Sequence, residues 1–383
     1  MVRIILYEIR KLLEQPIILF FFIASVLLNT IYITTVDLNQ SYLDYVQDIK
    51  EKTGNVISDE FKGELAHQSS SKDQQRLLTE TRSLENVFLH YSTAELGEEI
   101  IDFYQIQGSV AEQMTKKYET LAPVVFELDE THASLEVGAA GETMSVFTFI
   151  RNRLFNTILA ESLLFAVLIG LYGSTSETFT RTDRLLLSSK TGRNIQVSKY
   201  VASVLLTFLF YLTMILVTFS MFNLVHPIGQ IWNTSISTQF HLNVYFPQLL
   251  EVPFIPWSPM TLFNYTFLSI VLGAFLVIIC HGFNFLIGLW TNHLFQGFLV
   301  FVAVYVVFLS FGAMVDQLGW WSLQAVLMWH PVSLWRLQGY WFTEMGPYAI
   351  LPWQESIAMA VNLLLLGISC IVTGAFYSTK EVK

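Results

Sequence analysis

Charge is scarce in this chain: only 14% of residues are Asp, Glu, Lys or Arg, against roughly 25% in soluble domains. Cysteine is scarcer still. The two present, Cys280 and Cys370, both fall inside apolar runs, which argues against a disulfide framework or a structural zinc site. No G-x-x-x-x-G-K-[ST] phosphate loop occurs, so the chain is not expected to hydrolyse ATP. Neither H-E-x-x-H nor G-x-S-x-G is present, which removes the commonest metalloprotease and hydrolase signatures. A cleavable signal peptide is not expected either, because Met1–Gln15 carries charge throughout and no small-residue cleavage site follows the first apolar run.

What fills the space is apolar. Hydrophobic residues make up 53% of the chain. Several runs reach the ~17–25 residues that cross a bilayer core of about 30 Å. The alternating ten-residue segments of a transmembrane barrel are not found. The fold class expected is an all-α polytopic membrane protein with six spans, placed at Pro16–Val36, Leu154–Gly173, Lys199–Val225, Leu262–Trp290, Phe295–Val315 and Glu355–Tyr377. The fourth is long, about 44 Å at 1.5 Å per residue, so it must tilt, kink or protrude.

The net charge of −10 is unevenly placed: residues 37–150 hold 21 acidic and 8 basic side chains, a local net of −13. Orientation follows from Lys and Arg in the short loops. An N-terminus inside the cell puts Arg3, Arg10, Lys11, Arg181, Arg184, Lys190, Arg193, Lys199, Lys380 and Lys383 on the cytoplasmic side. The two short outer loops, 226–261 and 316–354, then hold one cation, Arg336. Residues 1–36 would be a surface helix and first span. Residues 37–150 would be a mainly helical extracytoplasmic domain with an extended later part, "PVVFELDETHASLEV". Residues 151–383 would be the remaining spans, with a cytoplasmic loop at 174–198.

Local patterns add detail. Ile5, Ile9, Leu12 and Leu13 share one face of an N-terminal helix whose charged remainder suits the membrane surface; a simple flank of the first span is the other reading. The acidity of 37–150 suits either a cationic ligand or a plain solvated face. "LGWWSLQAVLMWHPVSLWRLQGYWF" holds five tryptophans, and two short helices broken at Pro331, dipping into the outer leaflet, are expected there. Glu161 lies inside an apolar run, where a carboxylate costs a few kcal/mol unless it faces a wet cavity or the bundle interior. A translocation path and a structural hydrogen bond are both open for it. Asn284 is a weaker path candidate beside His281, and no ligand set for a metal accompanies either.

The segment "ETFTRTDRLLLSSKTGRNIQVSK" is the densest basic stretch, and Leu185, Leu186 and Leu187 give it an apolar ridge that the chain's own short loops do not cover. Here the sequence resembles the ABC-2 (type V) family of ABC transporter permeases, in its variant with a large domain after the first span. Glu177, Thr182, Leu186, Leu187, Ser188, Ser189, Gly192, Arg193 and Lys199 stand where that family has a Glu, a "T-x-x-x-L-L-S-S" core, a Gly-Arg pair and a Lys; Lys190 replaces a frequent Pro. An N-terminal elbow helix, six spans and re-entrant helices between the fifth and sixth are also family features. The resemblance implies that Glu177, Arg181, Arg184, Leu185, Leu186, Leu187, Ser188, Gly192 and Arg193 form a coupling helix for a separate ATPase subunit. It implies two ATPase chains, a second permease chain of the same or a related kind, ATP and Mg on the partner, and no cofactor in this chain. A nucleic-acid partner is not implied. A membrane sensor or scaffold and a proton-coupled secondary transporter are the alternatives from other classes.

Overall fold

A computed structural model describes residues 2–67, 71–140, 142–180, 195–238, 241–245 and 250–379. The chain is mostly helical, and six helices are long and apolar enough to cross a membrane: Pro16–Thr35, Ser145–Thr178, Ile195–Val225, Leu262–Thr291, Leu294–Leu318 and Gln354–Phe376. Their order, first span to sixth, matches the hydropathy reading; the ends differ by a few residues, apart from the second. That helix starts early. A helix over Glu142–Thr148, a π-helical stretch over Phe149–Phe155 and the helix Asn156–Thr180 follow one another without a break. The expected boundary at 150 therefore falls inside a helix rather than in a linker. Residues 174–180 and 195–198, expected in the loop, are helical too.

The second and fourth spans form the centre of the bundle and share its most extensive contact, with the third span against both. Glycine makes this possible. A methyl group on Gly170 would meet the His281 carbonyl oxygen at 2.8 Å and the Phe285 nitrogen at 3.1 Å. Backbone so close to backbone leaves no room for a side chain. The first, fifth and sixth spans are peripheral: only 22%, 11% and 28% of their apolar windows are buried.

Elements outside the bundle begin where local chemistry says they should. Asn39 accepts a hydrogen bond from the Tyr42 amide, and Ser92 accepts one from Glu95. Ser71 and Gln74 cap each other reciprocally, and Pro331 sits in the first turn of its helix with His330 accepting from the Val332 amide. Each cap satisfies an otherwise orphan helix donor.

These elements build one cap at the bundle end where the first span finishes. One core, with Tyr42, Ile49, Phe61 and Leu77, joins helices Gln40–Thr53, Asp59–His67 and Lys72–Thr81 to Val137 and Ala140. A second core joins helices Thr93–Phe103, Ser109–Glu119 and Ala122–Glu130 to Ile255 and Trp257 and to residues 315–349. Leu242–Tyr245 pairs antiparallel with Leu250–Pro253.

One expectation is corrected here. The stretch "PVVFELDETHASLEV" is helical and 3-10 helical, not extended. Pro123 fits the first turn of its helix and leaves the pattern intact. The Trp-rich segment does form two short helices, Trp321–Leu327 and Pro331–Arg336. However, Trp321 and Trp341 are buried inside protein: Trp321 donates to the Tyr104 carbonyl at 2.8 Å and Trp341 to that of Leu334 at 3.0 Å. Their indole N–H groups are satisfied by backbone oxygens, which is the usual requirement for burying an indole.

Lys117 fastens the cap. Its ammonium, 1% exposed, donates to the carbonyls of Glu344, Gly346 and Ala349 at 2.9, 2.8 and 3.0 Å. Tyr118 donates to Glu344 Oε2 at 2.7 Å, and the Gly346 amide donates to the same oxygen at 2.6 Å. An ammonium has three donors, and all three are used.

Candidate functional site

At the opposite end of the bundle, the second span finishes in "GSTSET" and the third begins at Ile195. The hydroxyls of Ser174 and Thr175 bond back to carbonyls of the preceding turn, at 3.0 and 2.8 Å, so they stay within their own helix. Glu177, one turn before the described helix ends, turns inward. Its carboxylate receives Lys11 at 3.2 Å through Oε1 and pairs with Lys199 through Oε2. Ser176 sits between them, accepting from Lys11 at 3.4 Å and from Lys199 at 3.3 Å and donating to Glu177 at 3.2 Å. Glu8 approaches Lys11 at 3.8 Å.

This is a cluster of two carboxylates and two ammoniums, buried except for the half-buried Lys11. Glu177 is 7% exposed, Lys199 2% and Glu8 6%. Each charge has an opposite neighbour, without which its desolvation would cost several kcal/mol. The four come from three elements. Glu8 and Lys11 lie on the N-terminal helix Val2–Leu13, Glu177 closes the second span, and Lys199 opens the third. The N-terminal helix packs on the third span and the first, burying Glu8 and Leu12 while Val2, Leu6, Tyr7 and Leu13 stay exposed. Glu8 therefore belongs to the packed face, and Leu13, expected on the apolar stripe with Ile5, Ile9 and Leu12, does not. The cluster thus locks three elements together, two of which precede and follow residues 181–194 in the chain.

Those residues include Arg181, Arg184, Leu185, Leu186, Leu187, Ser188, Gly192 and Arg193, which lie outside the described residues. Glu177 and Lys199, which flank them, are brought together. Lys11, Glu8 and Ser176 were not singled out by the sequence reading. Glu177 and Lys199 enter the sequence reading through the family resemblance, whereas Lys11 sits among several charges with nothing to mark it.

Glu161 occupies a second polar cluster, between the first three spans. Asn29 donates to Glu161 Oε2 at 3.0 Å and to Thr218 at 3.3 Å. Glu161 Oε1, Asn29 Oδ1 and Ser162 Oγ are buried and make no hydrogen bond. Asn284 is elsewhere. It donates to the Cys280 carbonyl at 2.8 Å and packs near Gly170, nine residues or about 14 Å along the second span from Glu161. The two path candidates are not neighbours. His281 is wholly buried with neither ring nitrogen bonded, beside the Tyr200 ring at 5.7 Å. Among the described residues, no group of His, Cys, Asp and Glu could hold a metal ion, and both cysteines are free.

Comparison of the chain with protein-family models, with curated proteins and with solved structures finds no match.

Proposed function

We propose that this chain is the membrane-spanning subunit of an ATP-driven exporter of the ABC-2 (type V) permease kind, with hydrolysis carried out by a separate ATPase that docks on residues 181–194. The observation that carries the reading is the Glu8–Lys11–Glu177–Lys199 cluster. A docking segment transmits force only if its ends are firmly tied to the helices that must move. Here the helix before the segment, the helix after it and the N-terminal helix share one buried charge cluster.

In this reading the N-terminal helix is an elbow on the cytoplasmic surface, with Val2, Leu6, Tyr7 and Leu13 facing lipid. The helices Trp321–Leu327 and Pro331–Arg336 are re-entrant elements roofed by the extracytoplasmic cap. Both termini are cytoplasmic, in the plasma membrane of a bacterium. Two ATPases and two permease chains assemble, and the cargo is a peptide, antibiotic, lipid or similar amphiphile. Glu161 and its unsatisfied neighbours contribute a polar point inside an otherwise apolar wall. They suit a passing polar group because buried acceptors without partners gain from any donor offered.

ATP hydrolysis provides the test. Purified chain alone is expected to show no ATPase activity, and activity is expected only when the partner subunit is added, stimulated by cargo. Robust hydrolysis by the isolated polypeptide would contradict the proposal.

A further inference from the structure

In the cap, far from the charge cluster, a cavity of about 490 Å³ opens between the turn at 86–92 and the helix Ala122–Glu130. That volume lies in the range of small-ligand sites, roughly 300–1,000 Å³. Aromatic rings contribute to its lining: Phe88 and Tyr91 meet edge to face with centroids 6.0 Å apart, and Phe126 adds a third ring from the helix. Phe126 is 63% exposed although it belongs to a solvated, acidic domain. Asp129 is the carboxylate of the lining, and neither Lys nor Arg contributes to it.

The walls are held in place before any ligand arrives. Asn86 donates to Asp129 Oδ1 at 2.6 Å, and Asn86 Oδ1 accepts from the Phe88 amide at 3.1 Å and from Ser134 at 2.7 Å. Among the described residues, Asp129 Oδ2 has no hydrogen-bond partner.

We propose that this cavity binds an organic cation, an alkyl- or arylammonium with an apolar body. Aromatic rings line this cavity, and a partly desolvated ammonium over the face of such a ring gains about 0.5–2 kcal/mol. Asp129 supplies the counter-charge. The net charge of −13 over residues 37–150 raises the local concentration of any cation. A neutral or anionic ligand would meet the same walls without either electrostatic gain. The site rests on this geometry alone and stands or falls separately from ATPase docking.

The test uses the full chain in nanodiscs of zwitterionic lipid, so that the membrane does not attract the probe. Benzyltriethylammonium is titrated by calorimetry in the same buffer for every variant. Benzyl alcohol is the neutral comparator. Saturable binding of the ammonium with a Kd of about 1 mM or tighter is expected, with the alcohol at least about fivefold weaker. Asp129→Asn and Phe126→Ala should each weaken binding about three- to tenfold. Glu130→Gln, on the same helix but outside the lining, should leave it unchanged. Because Phe126 is exposed, its replacement tests the site even if loss of Asp129 disturbs Asn86. Equal binding of the alcohol, no saturation, or equal losses from Glu130→Gln and Asp129→Asn would overturn the proposal, the last by showing only diffuse attraction.

Discussion

Glu177 pairs with Lys199 in a nearly dry environment and with a partly exposed Lys11 that also faces Glu8, so removing its charge strands Lys199 above all. Glu177→Gln should destabilise the chain by about 3–5 kcal/mol, the usual cost of breaking a buried pair. Lys199→Met in the same chain should restore part of that loss, because it removes the charge most deeply stranded. Thermal melts of the single and double variants check this, and a double variant as unstable as the sum of its parts would remove the coupling. His241 behaves differently. Burial pushes its imidazole down to about 3, its hydrogen bond to the Ile236 carbonyl opposes this, and nearby Arg151 adds to the downward push. Since a carbonyl only accepts, Nδ1 carries the proton and Nε2 is bare. The folded state therefore keeps a neutral ring at pH values where the unfolded chain protonates. Stability from this residue is present above about 6.5 and falls as pH drops toward 3, by up to about 1.4 kcal/mol per unit. The melting temperature of His241→Asn should decline less steeply over that window than that of the natural chain.

Among elements, the contact between the second and fourth spans depends on Gly170. Gly170→Ala should force the helices apart and cost about 1–3 kcal/mol, as overpacking a close-packed interior does. Circular dichroism melts would register it, whereas Gly367→Ala, with open space around it, should be silent. The spans themselves were legible from hydropathy because twenty apolar residues have few alternatives to crossing a bilayer. The second span's true start was not, because Thr148–Arg153 reads as a polar flank while the helix runs straight through it. The helical state of residues 122–130 was also missed. Pro123 and two valines suggest extension, but proline in a first turn costs a helix nothing and the buried Val125 and Leu128 hold it in place.

At the scale of the molecule, the chain is a six-helix bundle with a charge cluster at one end and a large cap at the other. The cap was recognisable from its charge, but its attachment was not, because Lys117 meets carbonyls more than two hundred residues away. Long-range pairing of that kind has no signature in spacing. Lys117→Met should leave three buried carbonyls without donors, at a cost of about 1–3 kcal/mol each at most, and should raise protease sensitivity in the 344–350 segment. Of the candidate coupling residues, only Glu177 falls among the described residues, where it pairs with Lys199. The Leu185–Leu187 ridge stays a reading of the sequence. It is also where the central claim is most exposed. The direct measurement is co-purification of the ATPase subunit with the natural chain and with the double variant Leu186→Asp/Leu187→Asp, which leaves the buried cluster untouched. Stoichiometric ATPase is expected with the natural chain, and its loss from an equally folded variant. Unchanged recovery of the ATPase with the variant would contradict it.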